Sequence, residues 1–148
     1  MEKRLEKEYF CKVLNIFVKK LIKQGKKEKS INLNLNLLKK FKFVEKEYNG
    51  LKVLGDSVYN VSPKLEIISK KVGGGRYQIP VPLNEKKQIS EGVSNLLKIT
   101  KLKSYGDLES KLLNELVKAY NKEGEAVLKK ESLYDLASKN RANLKFLK

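Results

Sequence analysis

The chain has 148 residues, with 33 Lys or Arg against 17 Asp or Glu, a formal net charge of +16. It has no histidine and a single cysteine, which excludes a disulfide within one chain and any Cys/His metal cluster, and removes the commonest general base. At 41% hydrophobic it can build one domain with a real core, and it has no apolar run long enough to cross a bilayer.

Self-repulsion on this scale favours a polyanionic partner, nucleic acid first and an anionic membrane surface second. Only Arg4, Arg76 and Arg141 are arginines. Lysine is a point charge suited to phosphate, whereas base reading favours the bidentate fork of arginine. Backbone and shape recognition are therefore expected to dominate. The opening "MEKRLEKEYF" has no apolar signal core, and its alternating charges fit a transit peptide poorly.

The first helix is predicted over 9–22, where Phe10, Val13, Leu14, Phe17, Val18 and Leu21 recur at three- and four-residue spacing. Cys11 falls within this pattern and reads as a buried, inert thiol. Gly25 is a natural stop, and the lysines of the last turn suit the helix dipole. The stretch Lys19–Lys29 holds six lysines and one glutamate; its plainest reading is a solvated helix end and loop. In "SINLNLNLLKKFKFV" Ile31, Leu33, Leu35 and Leu37 alternate as in a strand, yet Leu33, Leu37, Phe41 and Val44 form a helical stripe. Ser30 offers an N-cap and the pattern is too long for a typical strand, so a helix is expected.

"YNG" at Tyr48–Gly50 marks a turn. A short helix with Leu51, Leu54, Val58 and Val61 on one face should follow and end before Pro63. Further on, Asn84 can cap a helix bearing Ile89, Val93, Leu96 and Leu97. Leu108, Leu112, Leu113, Leu116, Val117 and Tyr120 make the cleanest amphipathic stripe, closed by Gly124. A last helix carries Leu133, Leu136, Ala137, Leu144 and Leu147. The expectation is a mainly α fold: a bundle of about six helices in one domain over 1–148, interrupted by a two-stranded β-hairpin arm at about 65–83.

The arm is "KKVGGGRYQIPVPL", Lys70–Leu83, with Leu65–Val72 pairing Gly75–Leu83 across a tight turn built from Gly73, Gly74 and Gly75. A two-residue turn at Gly73–Gly74 pairs Val72 with Gly75, Lys71 with Arg76 and Lys70 with Tyr77. Inward hydrogen bonds then fall at Tyr77, Ile79 and Val81, and Pro80 and Pro82 face an open edge where no donor is required. Like charges across a strand pair repel. Gathering Lys70, Lys71 and Arg76 at the tip makes sense beside phosphates, and Tyr77 could stack on a base or sugar. The glycines fit neither a P-loop nor a dinucleotide fingerprint, because no Gly-Lys-Ser/Thr follows and they open a strand.

"VSPKLEIISKKVGGGRYQIPVPLNEKKQ" resembles the signature of the small-subunit ribosomal protein seven family of bacterial and organellar type. Lys70 and Lys71 stand at its usual basic positions, and Val72, Gly73, Gly74, Tyr77, Gln78, Pro80 and Val81 match in place. "LLNELVKAYNKEGEAVLKKESLYDLASKNRANLKF" is similar to the family's ending, and "LNIFVKKLIKQGKKEKS" to its first helix and turn. The similarity spans about residues 10–148. It implies a helical bundle with a ribbon arm, and helix over 31–44. It also implies a primary binder of small-subunit rRNA that nucleates the 3′ major (head) domain. Its arm would lie near exit-site tRNA and the mRNA exit region, beside neighbouring small-subunit proteins.

Departures are the acidic-and-basic "MEKRLEKEY" in place of an Arg-rich N-terminal arm, a poor match from Phe41 to Val61, and lysine in place of most arginines. The Lys- and Asn-rich bias suggests an AT-rich organellar genome, hence a mitochondrion-encoded ribosomal protein, with bacterial cytoplasm or plastid as alternatives.

The expected phosphate contacts are Lys26 and Lys27 after the first helix, Lys70, Lys71 and Arg76 with Tyr77 on the arm, Lys86 and Lys87 at the next helix start, and Lys101, Lys103, Lys129, Lys130 and Arg141 further on. No metal, cofactor or membrane is expected. Charge and pattern alone admit a histone-like or helix-turn-helix duplex DNA binder. An enzyme would have to use Glu109, Glu115 or Asp135, which read as ordinary exposed helical positions with nothing converging on them.

Overall fold

Apolar residues at helical spacing build the elements, and their stripes meet in one core. The computed structural model describes residues 2–44 and 50–147. The elements are α1 (Glu2–Leu21), α2 (Lys27–Val44), α3 (Gly50–Val61), β1 (Leu65–Val72), β2 (Gly75–Pro82), α4 (Glu85–Leu102), α5 (Leu108–Tyr120), α6 (Glu125–Lys139) and a terminal 3₁₀ segment, Arg141–Phe146. The expected mainly helical bundle with a hairpin arm is therefore what the chain forms. Of the predicted "YNG" turn, Tyr48 and Asn49 lie outside the described residues, and Gly50 opens α3.

Helix α3 is the central element. It packs against α1, α2, α4, α5 and α6, and Val53, Leu54, Val58 and Val61 are buried along it. Around it lie Val13 and Phe17 of α1, Leu37 and Phe41 of α2, Ile89, Val93 and Leu96 of α4, and Leu112 and Leu116 of α5. Buried hydroxyls tie the helices together. Ser30 Oγ donates to the Val18 carbonyl at 2.7 Å, joining α2 to α1. Ser57 Oγ of α3 lies 2.8 Å from the Leu116 carbonyl of α5, and Asn60 Nδ2 donates to the Ala119 carbonyl at 3.0 Å near the end of α5.

Close helix packing also fixes two glycines. A Cβ on Gly55 would lie 2.1 Å from the Phe10 ring, and one on Gly92 would lie 2.3 Å from Ser62 Oγ and 3.0 Å from Ser62 Cα. Gly92→Ala is expected to lower stability by about 1–2 kcal/mol in urea denaturation, because overpacking outweighs the gain in helix propensity. An unchanged midpoint would mean that α4 and the end of α3 separate freely.

Four details differ from the sequence reading. First, α1 begins at Glu2 rather than near residue 9, because Glu, Lys, Arg and Leu are good helix formers even without an apolar stripe. Second, Ser30 lies inside α2, which starts at Lys27, and its hydroxyl joins two helices instead of capping one. Third, Cys11 is exposed; it shares a helical face with Glu8 and Asn15, both exposed, rather than with Val13 and Phe17. Fourth, the last helix is two elements. Asn140 Nδ2 donates to the Leu136 carbonyl at 2.8 Å, a side-chain competitor for the backbone at the point where α6 tightens into the 3₁₀ segment.

The hairpin has the expected register: Val72 pairs with Gly75, Lys71 with Arg76, Lys70 with Tyr77, and on to Leu65 with Pro82. Gly73 and Gly74 both have positive φ, 57° and 86°, as a tight two-residue turn with the sheet's own twist requires. The Leu83 N–H donates inward to the Lys64 carbonyl at 2.9 Å. By alternation Tyr77, Ile79 and Val81 also point inward, and the two prolines point away from β1. That outer edge is not open, however. Pro80 is buried, and the 3₁₀ segment covers part of the edge: Asn143 Nδ2 donates to the Gln78 carbonyl at 3.0 Å. A lone ribbon is marginal in water; here it rests on α6 and the C-terminal segment.

Candidate nucleic-acid interface

Two helix ends bring lysines together. The last turn of α1 carries Lys19 and Lys20. The first turn of α4 carries Lys86 and Lys87, and it is set by Asn84, whose Oδ1 accepts from the Lys87 N–H at 2.9 Å. These four lysines line one cleft of about 450 Å³ floored in part by Ile16. Lys19, Lys20, Lys86 and Lys87 are all exposed. Lys20 Nζ donates to Ser94 Oγ at 2.6 Å, and Lys87 Nζ pairs with Glu66 Oε1 of β1 at 2.5 Å, which ties the arm to α4. The positive end of the α4 dipole and the negative end of the α1 dipole meet here and oppose one another, so the lysines set the sign of the field. Lys86 and Lys87 were expected at this surface; Lys19 and Lys20 were not. Their charge was legible as a match to the α1 dipole, but the meeting of α1 with α4 is a tertiary fact.

The arm tip divides its cations between two faces. Lys71 and Arg76 sit opposite one another, exposed, on one face of the ribbon. Lys70 and Tyr77 sit on the other. There the Tyr77 ring meets Phe146 with centroids 4.6 Å apart, and Lys70 Nζ donates to the Phe146 carbonyl at 2.9 Å. Tyr77 thus stacks on the chain's own C-terminal segment, which covers one face of its ring. Gly73 and Gly74 are exposed at the turn, and Gly75 is half-buried under Tyr77.

The other expected contacts are dispersed. Lys26 and Lys27 are exposed at the α1–α2 turn, where Gln24 and Gly25 have φ of 52° and 73°. Lys101 is exposed in the last turn of α4, Lys129 on α6, and Arg141 at the start of the 3₁₀ segment. Lys130 is half-buried, donates to the Asn60 carbonyl at 2.8 Å, and lies over the Tyr134 ring. Burial, and after it the charge of Lys64, moves the Lys130 ammonium below its ordinary pKa, with Glu131 opposing.

Lys103 has a different environment. Its ammonium pairs with Glu115, which is 2% exposed rather than an ordinary surface residue as its sequence position suggests. Glu115 follows Leu112 by three residues and precedes Leu116, so it falls on the buried side of α5. Its second oxygen, Oε2, has no hydrogen-bond partner. Glu109 pairs with Lys40 at 2.9 Å and Asp135 is exposed. Among the described residues no group of three or more His, Cys, Asp or Glu is placed to hold a metal ion, and no helix is long and apolar enough to cross a membrane.

The fold and its lysine-walled cleft define a basic helical bundle bearing a ribbon arm. The model of the ribosomal protein S7p/S5e family matches residues 2–141, and the chain belongs to that family, one of ribosomal proteins and not of enzymes. It is 34% identical to the small ribosomal subunit protein uS7 of a Nitratiruptor species over 134 residues, 90% of this chain and 86% of that one. It is 32% identical to uS7 of Campylobacter concisus over the same shares of each chain. With uS7 of Pelobacter propionicus it shares 38% over 92 residues, 62% of this chain and 59% of the relative.

Proposed function

We propose that this protein is a structural constituent of the small ribosomal subunit and a primary binder of its rRNA. It would nucleate the 3′ major (head) domain, pack beside neighbouring small-subunit proteins, and hold its arm near exit-site tRNA and the mRNA exit region. Family membership over residues 2–141 carries this reading. The net charge of +16 and the four-lysine cleft between α1 and α4 support it physically. Lysines spread over several elements suit folded RNA, which is read largely by shape and backbone. The relatives named above are bacterial and give the mitochondrial placement no support, while a bacterial cytoplasm accords with them.

Mechanistically, the helical core holds the lysines at fixed separations, and each ammonium that meets a phosphate releases condensed counterions. The arm contributes Lys71 and Arg76 on its open face, while Phe146 holds the opposite face. Lys71→Ala/Arg76→Ala should leave folding unchanged, because both side chains are exposed. It should also lower the salt slope of rRNA binding by about 0.7–0.9 for each phosphate no longer neutralised. Sedimentation of subunits assembled with this variant should show assembled heads with altered mRNA retention. Normal mRNA handling together with an unchanged salt slope would remove the arm from the interface.

A further inference from the structure

A second concavity lies between α1, α3, α4, α6 and the start of β1, and its walls differ in chemistry from the lysine cleft. It has a volume of about 650 Å³ and is lined by Tyr9, Tyr59 and Tyr134 together with Lys64, Lys130 and Glu85. This is the size range of small-molecule sites. Three of the chain's seven tyrosines therefore converge from three different helices. Tyr9 and Tyr59 meet edge to face with centroids 6.4 Å apart, and Tyr59 is 58% exposed, so much of its ring is unused by the fold. The Tyr134 hydroxyl accepts from the Lys64 N–H at 3.1 Å, which fixes that ring beside the strand entering the arm.

We propose that this cavity receives one unstacked nucleotide of the bound RNA, its base against the tyrosines and its phosphate beside Lys64 and Lys130. Aromatic faces are sequence-tolerant platforms for single-stranded bases, and cations at the rim track the backbone. Charge complementarity favours a nucleotide over an apolar protein side chain. Two lysines share one cavity, and the ammonium of Lys130 is destabilised by burial and by Lys64, a strain that an anion would relieve. Tyr9 is held protonated, its pKa pushed up to about 12 by burial first and then by Glu85, Tyr59 and Asp56, so its hydroxyl stays a donor. Glu85, held by Lys12 at 3.3 Å, places an acceptor in the same cavity for an amino or imino group of a base.

The inference rests on the RNA-binding reading above, and two arms of one experiment separate them. The intact protein is cross-linked by ultraviolet light to a short single-stranded RNA and to an RNA duplex of the same length, and the adducts are mapped to residues. In parallel, the affinity of wild type and Tyr59→Ala is measured for the single strand and for the duplex. Adducts on Tyr9, Tyr59 or Tyr134 with the single strand alone are expected. Tyr59→Ala should weaken single-strand binding between about 5- and 150-fold, leave duplex binding unchanged, and melt like wild type. Adducts confined to the lysine cleft and arm, with Tyr59→Ala binding like wild type, overturn the pocket while leaving the RNA-binding reading intact. A duplex DNA of the same length is titrated alongside, and failure of both RNAs to bind better than that DNA overturns the reading and the pocket together.

Discussion

Lys103→Ala should lower folding stability by about 3–5 kcal/mol, the usual consequence of leaving a buried charge without its partner. The carboxylate at risk is that of Glu115, whose side chain is 1% exposed and whose Oε2 already lacks a partner. Lys103 also lies where α4 ends, and its backbone carbonyl accepts from Lys111 Nζ at 2.6 Å, a contact that Lys103→Ala retains, so the loss is that of the ammonium alone. Urea denaturation measures the loss. The double variant Lys103→Met/Glu115→Leu should recover most of it or exceed wild type, because an apolar pair of similar volume avoids desolvating two charges. This prediction separates Lys103 from the other expected phosphate ligands. A residue used mainly for RNA would leave stability unchanged on substitution and lower the salt slope instead.

The second large effect belongs to the lysine cleft. Lys19→Ala/Lys20→Ala/Lys86→Ala removes three of its four ammonium groups and leaves Lys87 in its pair with Glu66. All three are exposed, so thermal melting should shift little. The log–log salt slope for rRNA should fall by about 2–3, from roughly 0.7–0.9 per phosphate. Filter binding across a salt series reads this directly. An unchanged slope would move the principal RNA-facing surface away from α1 and α4.

How far the sequence reaches can be seen at particular residues. The predicted stripes are local patterns: Leu54, Val58, Val61, Leu112 and Leu116 are buried, Leu51, Leu113, Val117 and Tyr120 are half-buried, and Leu108 is exposed. The hairpin register follows from two glycines and two prolines, and the strands pair as those residues dictate. What stays hidden are meetings between distant segments. Nothing near Tyr77 indicates that Phe146 covers it, and nothing near Lys103 indicates a buried acid on the next helix. Lys19 and Lys86 are far apart in sequence and share a wall only after folding. The polar residues that did not read correctly, Ser30, Cys11 and Glu115, have roles set by the face of the helix they occupy.

Recognition of small-subunit rRNA is tested most directly by competition binding across a salt series, with a 3′ major domain rRNA fragment against duplex DNA of equal length. Preference for the rRNA fragment that survives moderate salt is the expected result, because a rigid set of lysines matched to folded RNA retains shape selectivity when simple charge attraction is screened. Equal binding to both, falling steeply and in parallel with salt, would contradict specific rRNA recognition and leave only lysine electrostatics.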